Sequence, residues 1–133
     1  MPATVLDLTF EAATDLAGLR HRVRQCATEM GLTPRRTSDF ILAVNEIAAN
    51  AIVHGGGKAR IVLTHTGTGL RCVIADKGPG AAPSAPSAEA FDKDGAEHGR
   101  GLWVARALAD WFDVVACDAG TTVTLETLLD EPL

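Results

Sequence analysis

Between Thr33 and Gly57 the chain carries one long amphipathic period that any fold has to accommodate. Thr33 can cap free amides and Pro34 suits a first helical position, so a helix is predicted to begin there. Phe40, Ile41, Val44, Ile47, Ala48, Ala51 and Ile52 then recur at helical spacing. They give the helix a wide buried face as far as about His54, where Gly55, Gly56 and Gly57 stop it. On the same run, Glu46, Asn50 and His54 stand four residues apart. Successive members lie about 40° apart, so all three project from one narrow polar strip beside the apolar one.

The rest of the chain falls into elements that this helix can pack against. "TVLDLTF" (4–10) reads as an opening strand. Asp15 to Met30 repeats Leu16, Leu19, Val23, Ala27 and Met30 as a helical stripe, with Arg20, Arg22 and Arg24 largely off it and Gly31 at its end. "ARIVLTHT" and "LRCVIADK", joined by Gly67-Thr68-Gly69, form a hairpin. Residues 78–99 are rich in Gly, Pro, Ala and Ser and hold no sustained apolar period, which predicts a long loop of the lid or binding type. Leu102, Val104, Ala105, Leu108 and Ala109 mark a short amphipathic helix. "WFDVVAC" and "TTVTLETLL" make a second hairpin around Asp118-Ala119-Gly120. The order predicts an α+β fold, a two-layer α/β sandwich with helices on one face of a mixed, mostly antiparallel sheet. Its 133 residues suit a single domain over 1–133 that buries roughly two thirds of its unfolded surface.

Composition removes several classes of function. The net charge is -5, and no lysine or arginine tract advertises a phosphate backbone, so no direct nucleic-acid ligand is expected. No stretch approaches the roughly 18 apolar residues of a membrane span, and "MPATVLDLTF" lacks the basic start of a secretory signal. A cytoplasmic protein without membrane contact is expected. Cys26, Cys72 and Cys117 are widely separated, which reads as packing residues in a reducing compartment. The histidines are scattered and there is no HExxH, so no transition-metal site is inferred.

Chemistry can sit in three places. The Glu46/Asn50/His54 strip is either a solvated helix edge or a face on which a ligand lies, and Ala48, Ala49 and Ala51 suggest open space around it. In "VIADKGPG", alternation puts Asp76 on the same strand face as Leu70, Cys72 and Ile74. A carboxylate there is costly unless donors such as a ligand amino group meet it, and Gly78 and Gly80 leave room for the ligand. The same residues also make an ordinary Asp-Lys-Gly turn. In "HGRGLW", Gly99 and Gly101 lie just before or at a helix start, where free amides can receive phosphate oxygens or a hinge can close the lid. "GGGKAR" lacks the first glycine and the Ser/Thr of a P-loop, and neither glycine pair completes a dinucleotide fingerprint.

Taken in order, "NEIAANAIVHGG", "DKGPG" and "GRGLW" resemble the N, G1 and G2 boxes of the histidine-kinase-like (GHKL) ATPase superfamily. The likeness spans nearly the whole chain and is strongest to small bacterial anti-sigma factor serine/threonine kinases. It implies a Bergerat-type ATP-binding fold with an ATP lid at about 78–99, and ATP and Mg2+ as cofactors. By resemblance, Asn50 holds the magnesium and Glu46 is the base that orients the attacking hydroxyl. Asp76 bonds the adenine amino group, and Gly78 and Gly80 shape its pocket. Gly99, Arg100, Gly101 and Leu102 wrap the phosphates, with Arg100 the obvious cation there. His54 matches the end of the N box and is read as structural. The implied partners are a sigma factor, a small anti-sigma factor antagonist and a second copy of the chain, met through the first strand and helix. A nucleotide-gated binding module without kinase activity is the alternative.

Overall fold

The computed structural model describes residues 3–54, 57–77, 97–117 and 119–129, and for His54, residues 97–101 and Cys117 the backbone alone. Strand β1 (Ala3–Phe10) leads through a 3-10 turn (Ala13–Asp15) into α1 (Leu16–Glu29) and α2 (Pro34–His54). The hairpin β2 (Ala59–His65) and β3 (Gly69–Asp76) follows, then α3 (Glu97–Leu108) and the hairpin β4 (Trp111–Cys117) and β5 (Gly120–Leu128).

Local chemistry sets the helix ends. α1 stops in a Schellman turn: Gly31, at φ 92°, donates its N–H to the Thr28 carbonyl and Leu32 donates to Ala27. Thr33 Oγ1 then accepts the Arg36 N–H at 3.3 Å and caps α2, as the Thr-Pro pair predicts. α3 begins at Glu97, so of the two expected placements Gly99 and Gly101 take the one at the helix start, inside its first turns. Glycine costs a helix only about 1 kcal/mol against alanine, and packing along α2 offsets that cost.

The sheet order is β1-β2-β3-β5-β4, and every pairing is antiparallel. The last strand in sequence therefore lies inside the sheet. Alternation sends Ile61, Leu63, Leu70, Cys72, Ile74, Val123 and Leu125 toward the helices, where they meet Leu19, Val23, Phe40, Val44 and Ile47. Each of the fully buried Ile, Leu and Phe side chains contributes about 1.5–3 kcal/mol of transfer free energy. The opposite sheet face carries ion pairs of Arg60 with Asp7 and of Arg71 with Glu126. No helix among the described residues is long and apolar enough to cross a membrane.

Cys72 is wholly buried, and burial pushes its thiol far above the ordinary range. Cys26 is raised by partial burial and, secondarily, by the charge of Glu29. Both behave as packing residues, while the Cys117 side chain lies outside the described residues.

Candidate active site

The buried apolar face of α2 sets how the helix is rolled on the sheet, and two contacts mark its flanks. On one flank Asn45 Oδ1 accepts a hydrogen bond from Arg20 of α1 at 2.8 Å. On the other, the Arg36 guanidinium reaches Asp110, just past α3, at 3.0 Å. Fourteen residues separate Arg36 from Asn50, which at roughly 100° per residue brings Asn50 to within about 40° of the Arg36 direction. Asn50 is thus turned toward α3 and away from α1. Glu46, one turn earlier, lies about 40° further round, toward the crest of the helix.

The direction of α3 follows from the same ion pair. Leu108 ends α3 two residues before Asp110, and Asp110 holds Arg36 in the first turn of α2. Since α3 packs along α2, it runs back toward the C-terminal half of that helix. Its length of roughly 18 Å, at 1.5 Å per residue, carries its first turns to about the level of Glu46.

The sheet delivers Asp76 to this same end. β3 starts at the Gly69 and Leu128 pair, beside Arg36, and finishes at the Asp76 and Thr121 pair. Ala59, five residues after His54, pairs with Asp76 from the other side. Asp76 continues the inward face of Leu70, Cys72 and Ile74 and is half-buried, so it belongs to the strand rather than to a turn. The Thr121 N–H donates to its Oδ1 at 3.3 Å. That amide is a site group sequence reading missed. The only local signal was the strand start after Gly120, because pairing of β3 with β5 is encoded at long range.

Glu46 and Asn50 are also half-buried, and among the described residues neither makes a hydrogen bond or ion pair. Asn45, next to Glu46, is by contrast engaged by Arg20. One expectation is corrected. Ala48 and Ala51 are 0% and 5% exposed, so their small side chains let α2 approach the sheet and do not clear space for a ligand. Ala49 alone of the three is partly exposed. Leu102 packs against the core from α3, and Gly99, Arg100 and Gly101 occupy the third to fifth positions of that helix. Gly78, Gly80 and most of the expected lid lie outside the described residues.

Among the described residues no group of three or more His, Cys, Asp or Glu side chains can hold a metal ion. The Asn50 amide oxygen is nonetheless a hard donor. Magnesium keeps several waters and takes one or two protein ligands alongside substrate phosphates, so the donors present fit an ion carried in with a nucleotide.

A family model described as a histidine kinase-like ATPase domain matches residues 9–127, from the end of β1 into β5. The chain belongs to the histidine kinase-like ATPase domain family. No curated protein sequence matches it. Among solved structures, this histidine kinase-like ATPase domain is similar to the structure of the RsbU and RsbW domains of Rv1364c from Mycobacterium tuberculosis, with a TM-score of 0.72 and 22% identity. That match covers 99% of this chain and 33% of the other, so the chain spans about a third of the length of that two-domain chain. It is also similar to the SiaB-SiaC complex from Pseudomonas aeruginosa, with a TM-score of 0.67 and 9% identity over 92% of this chain and 89% of that one. At these identities the likeness is one of fold.

Proposed function

We propose that the chain binds ATP with Mg2+ and passes the γ-phosphoryl group to a Ser or Thr of a small antagonist protein, sequestering a sigma factor within a partner-switching system. The observation that carries this reading is the convergence of Glu46 and Asn50 on α2, Asp76 on β3 and the first turns of α3 at one end of the molecule. Support comes also from the family match, from the likeness of the three boxes to anti-sigma factor kinases, and from a fold shared with an RsbW domain and with a protein seen in complex with SiaC.

The residues divide the work as phosphoryl transfer requires, by positioning and charge neutralisation. Asp76, held by the Thr121 amide, accepts a bond from the exocyclic amine of adenine. An ionised carboxylate has about four acceptor positions, so the two bonds are compatible. Asn50 supplies an oxygen to the magnesium ion, which when bound neutralises the phosphate oxygens. Glu46 accepts the proton of the attacking hydroxyl. The resemblance to the family's glycine boxes assigns Gly78 and Gly80 to the adenine pocket and the segment Gly99, Arg100, Gly101 and Leu102 to the phosphates. The cytoplasm is the compartment this reading requires, and a homodimer joined through β1 and α1 is the assembly it favours.

The test is transfer of label from γ-labelled ATP, with magnesium, to candidate antagonist domains from the same genome. Transfer that Glu46→Gln removes while nucleotide binding persists is the expected result. Equal transfer by wild type and Glu46→Gln overturns the catalytic assignment, and tight binding with no transfer makes the domain a nucleotide-gated binding module.

A further inference from the structure

Two glycines of the sheet stand where a side chain is sterically forbidden, and they lie at opposite ends of the molecule. At Gly69 an added β-carbon would collide with the Thr127 carbonyl oxygen and lie 3.0 Å from its carbon. At Gly120 it would collide with the Asp76 carbonyl oxygen and lie 2.9 Å from both the Asp76 carbonyl carbon and Lys77 Cα. Gly120 is also buried and holds φ at 138°, a conformation that L side chains rarely adopt.

The turn that contains Gly120 joins β4 to β5, and Gly120 pairs there with Cys117. A tight hairpin explains the positive φ. It does not explain the collision, which is with β3, the neighbour on the other side. The missing side chain lets the start of β5 close on the end of β3, and the next residue, Thr121, then reaches the Asp76 carboxylate with its N–H.

We propose that Gly120 is a positioning residue for the nucleotide: by carrying no side chain it seats the Thr121 amide on Asp76 and so fixes the carboxylate that meets the adenine amine. The inference rests on the proposed adenine contact of Asp76. Gly120 touches no ligand in this scheme and acts only through the junction of β3 with β5.

The experiment compares the affinity of ATP with that of purine riboside triphosphate, which lacks the exocyclic amine, both with magnesium. Wild type is expected to prefer ATP by about tenfold or more, the loss that follows when a charged acceptor is left without its donor. Gly120→Ala is expected to reduce that preference to near unity while triphosphate binding remains. Gly69→Ala, with a comparable collision at the far end, is expected to lower the melting temperature and leave the preference intact. A semisynthetic variant covers the case in which Gly120→Ala does not fold: ligation at Cys117 to a synthetic 117–133 segment with an ester in place of the Thr121 amide removes the N–H alone. It should lose the preference as well. Wild type without any preference overturns the Asp76 reading itself. Preference retained by folded Gly120→Ala, or by the ester, overturns the role of Gly120 and leaves that reading standing.

Discussion

The two ends of the sandwich use polar groups in opposite ways. At the end where α2 begins, Asp110 Oδ2 takes both the Arg36 guanidinium at 3.0 Å and the Leu128 N–H at 2.7 Å, and the Asp110 N–H donates to Glu126. Charge there is consumed within the chain and clasps α2, α3 and β5 together. At the end where α2 finishes, a carboxylate and an amide of α2 sit half-buried without a partner among the described residues, and a backbone amide anchors Asp76 beside them. Among the described residues, the contacts that tie the elements together at one end are thus separate from the groups of the proposed site at the other.

The sharpest way to break that division is to substitute at the open end and look for an effect on folding. Glu46→Gln is expected to reduce phosphoryl transfer by roughly 10²–10⁴-fold, measured by label transfer. Its unfolding free energy, from denaturant titration, should stay within about 0.5 kcal/mol of wild type. A large stability loss would show that Glu46 is structural. Asp76→Asn is expected to weaken ATP binding at least about tenfold by calorimetry, since an amide cannot replace a charged acceptor without losing a charge-assisted bond.

The converse substitution belongs at the clasp. Asp110→Ala removes a partly exposed acceptor of two bonds and should cost about 1–2 kcal/mol of stability, after allowance for solvent screening. ATP affinity should be unchanged. If ATP binding falls with stability, the two ends are coupled and the separation fails.

The smallest expected effect lies away from both ends. The hydrogen bond from Arg60 holds the Asp7 carboxyl below its ordinary range, and the N–H groups of Glu11 and Ala12 do the same for Asp15. A carboxyl lowered in the folded state contributes stability above its unfolded pKa and loses it as pH falls through the folded one. Acid titration below about pH 4 should therefore show a slight loss that high salt diminishes at Arg60. Asp7→Asn should remove that salt-sensitive part.

Much of this was legible in the amino acids themselves. Thr33-Pro34 and a helical apolar period placed α2, and strict alternation in β3 put Asp76 on the inward face. What local pattern could not show was contact between distant segments. Gly99 and Gly101 read as a helix boundary because glycine is a poor helix former and the packing of α3 along α2 is tertiary, and the alanines of α2 read as clearance because their sheet neighbours lie outside any short window. The Arg20 bond to Asn45 spans 25 residues and the Thr121 bond to Asp76 spans 45, so neither leaves a periodic trace.

The placement of β5 between β3 and β4 imposes an order on assembly during synthesis. As the chain grows from its N-terminus, β3 emerges with one whole edge unpaired, and β5 is the strand that later pairs with it. The carboxylate that would grip a purine is then the last part of the pocket to be set, and a nascent chain halted before Gly120 would present a sticky strand instead of a binding site.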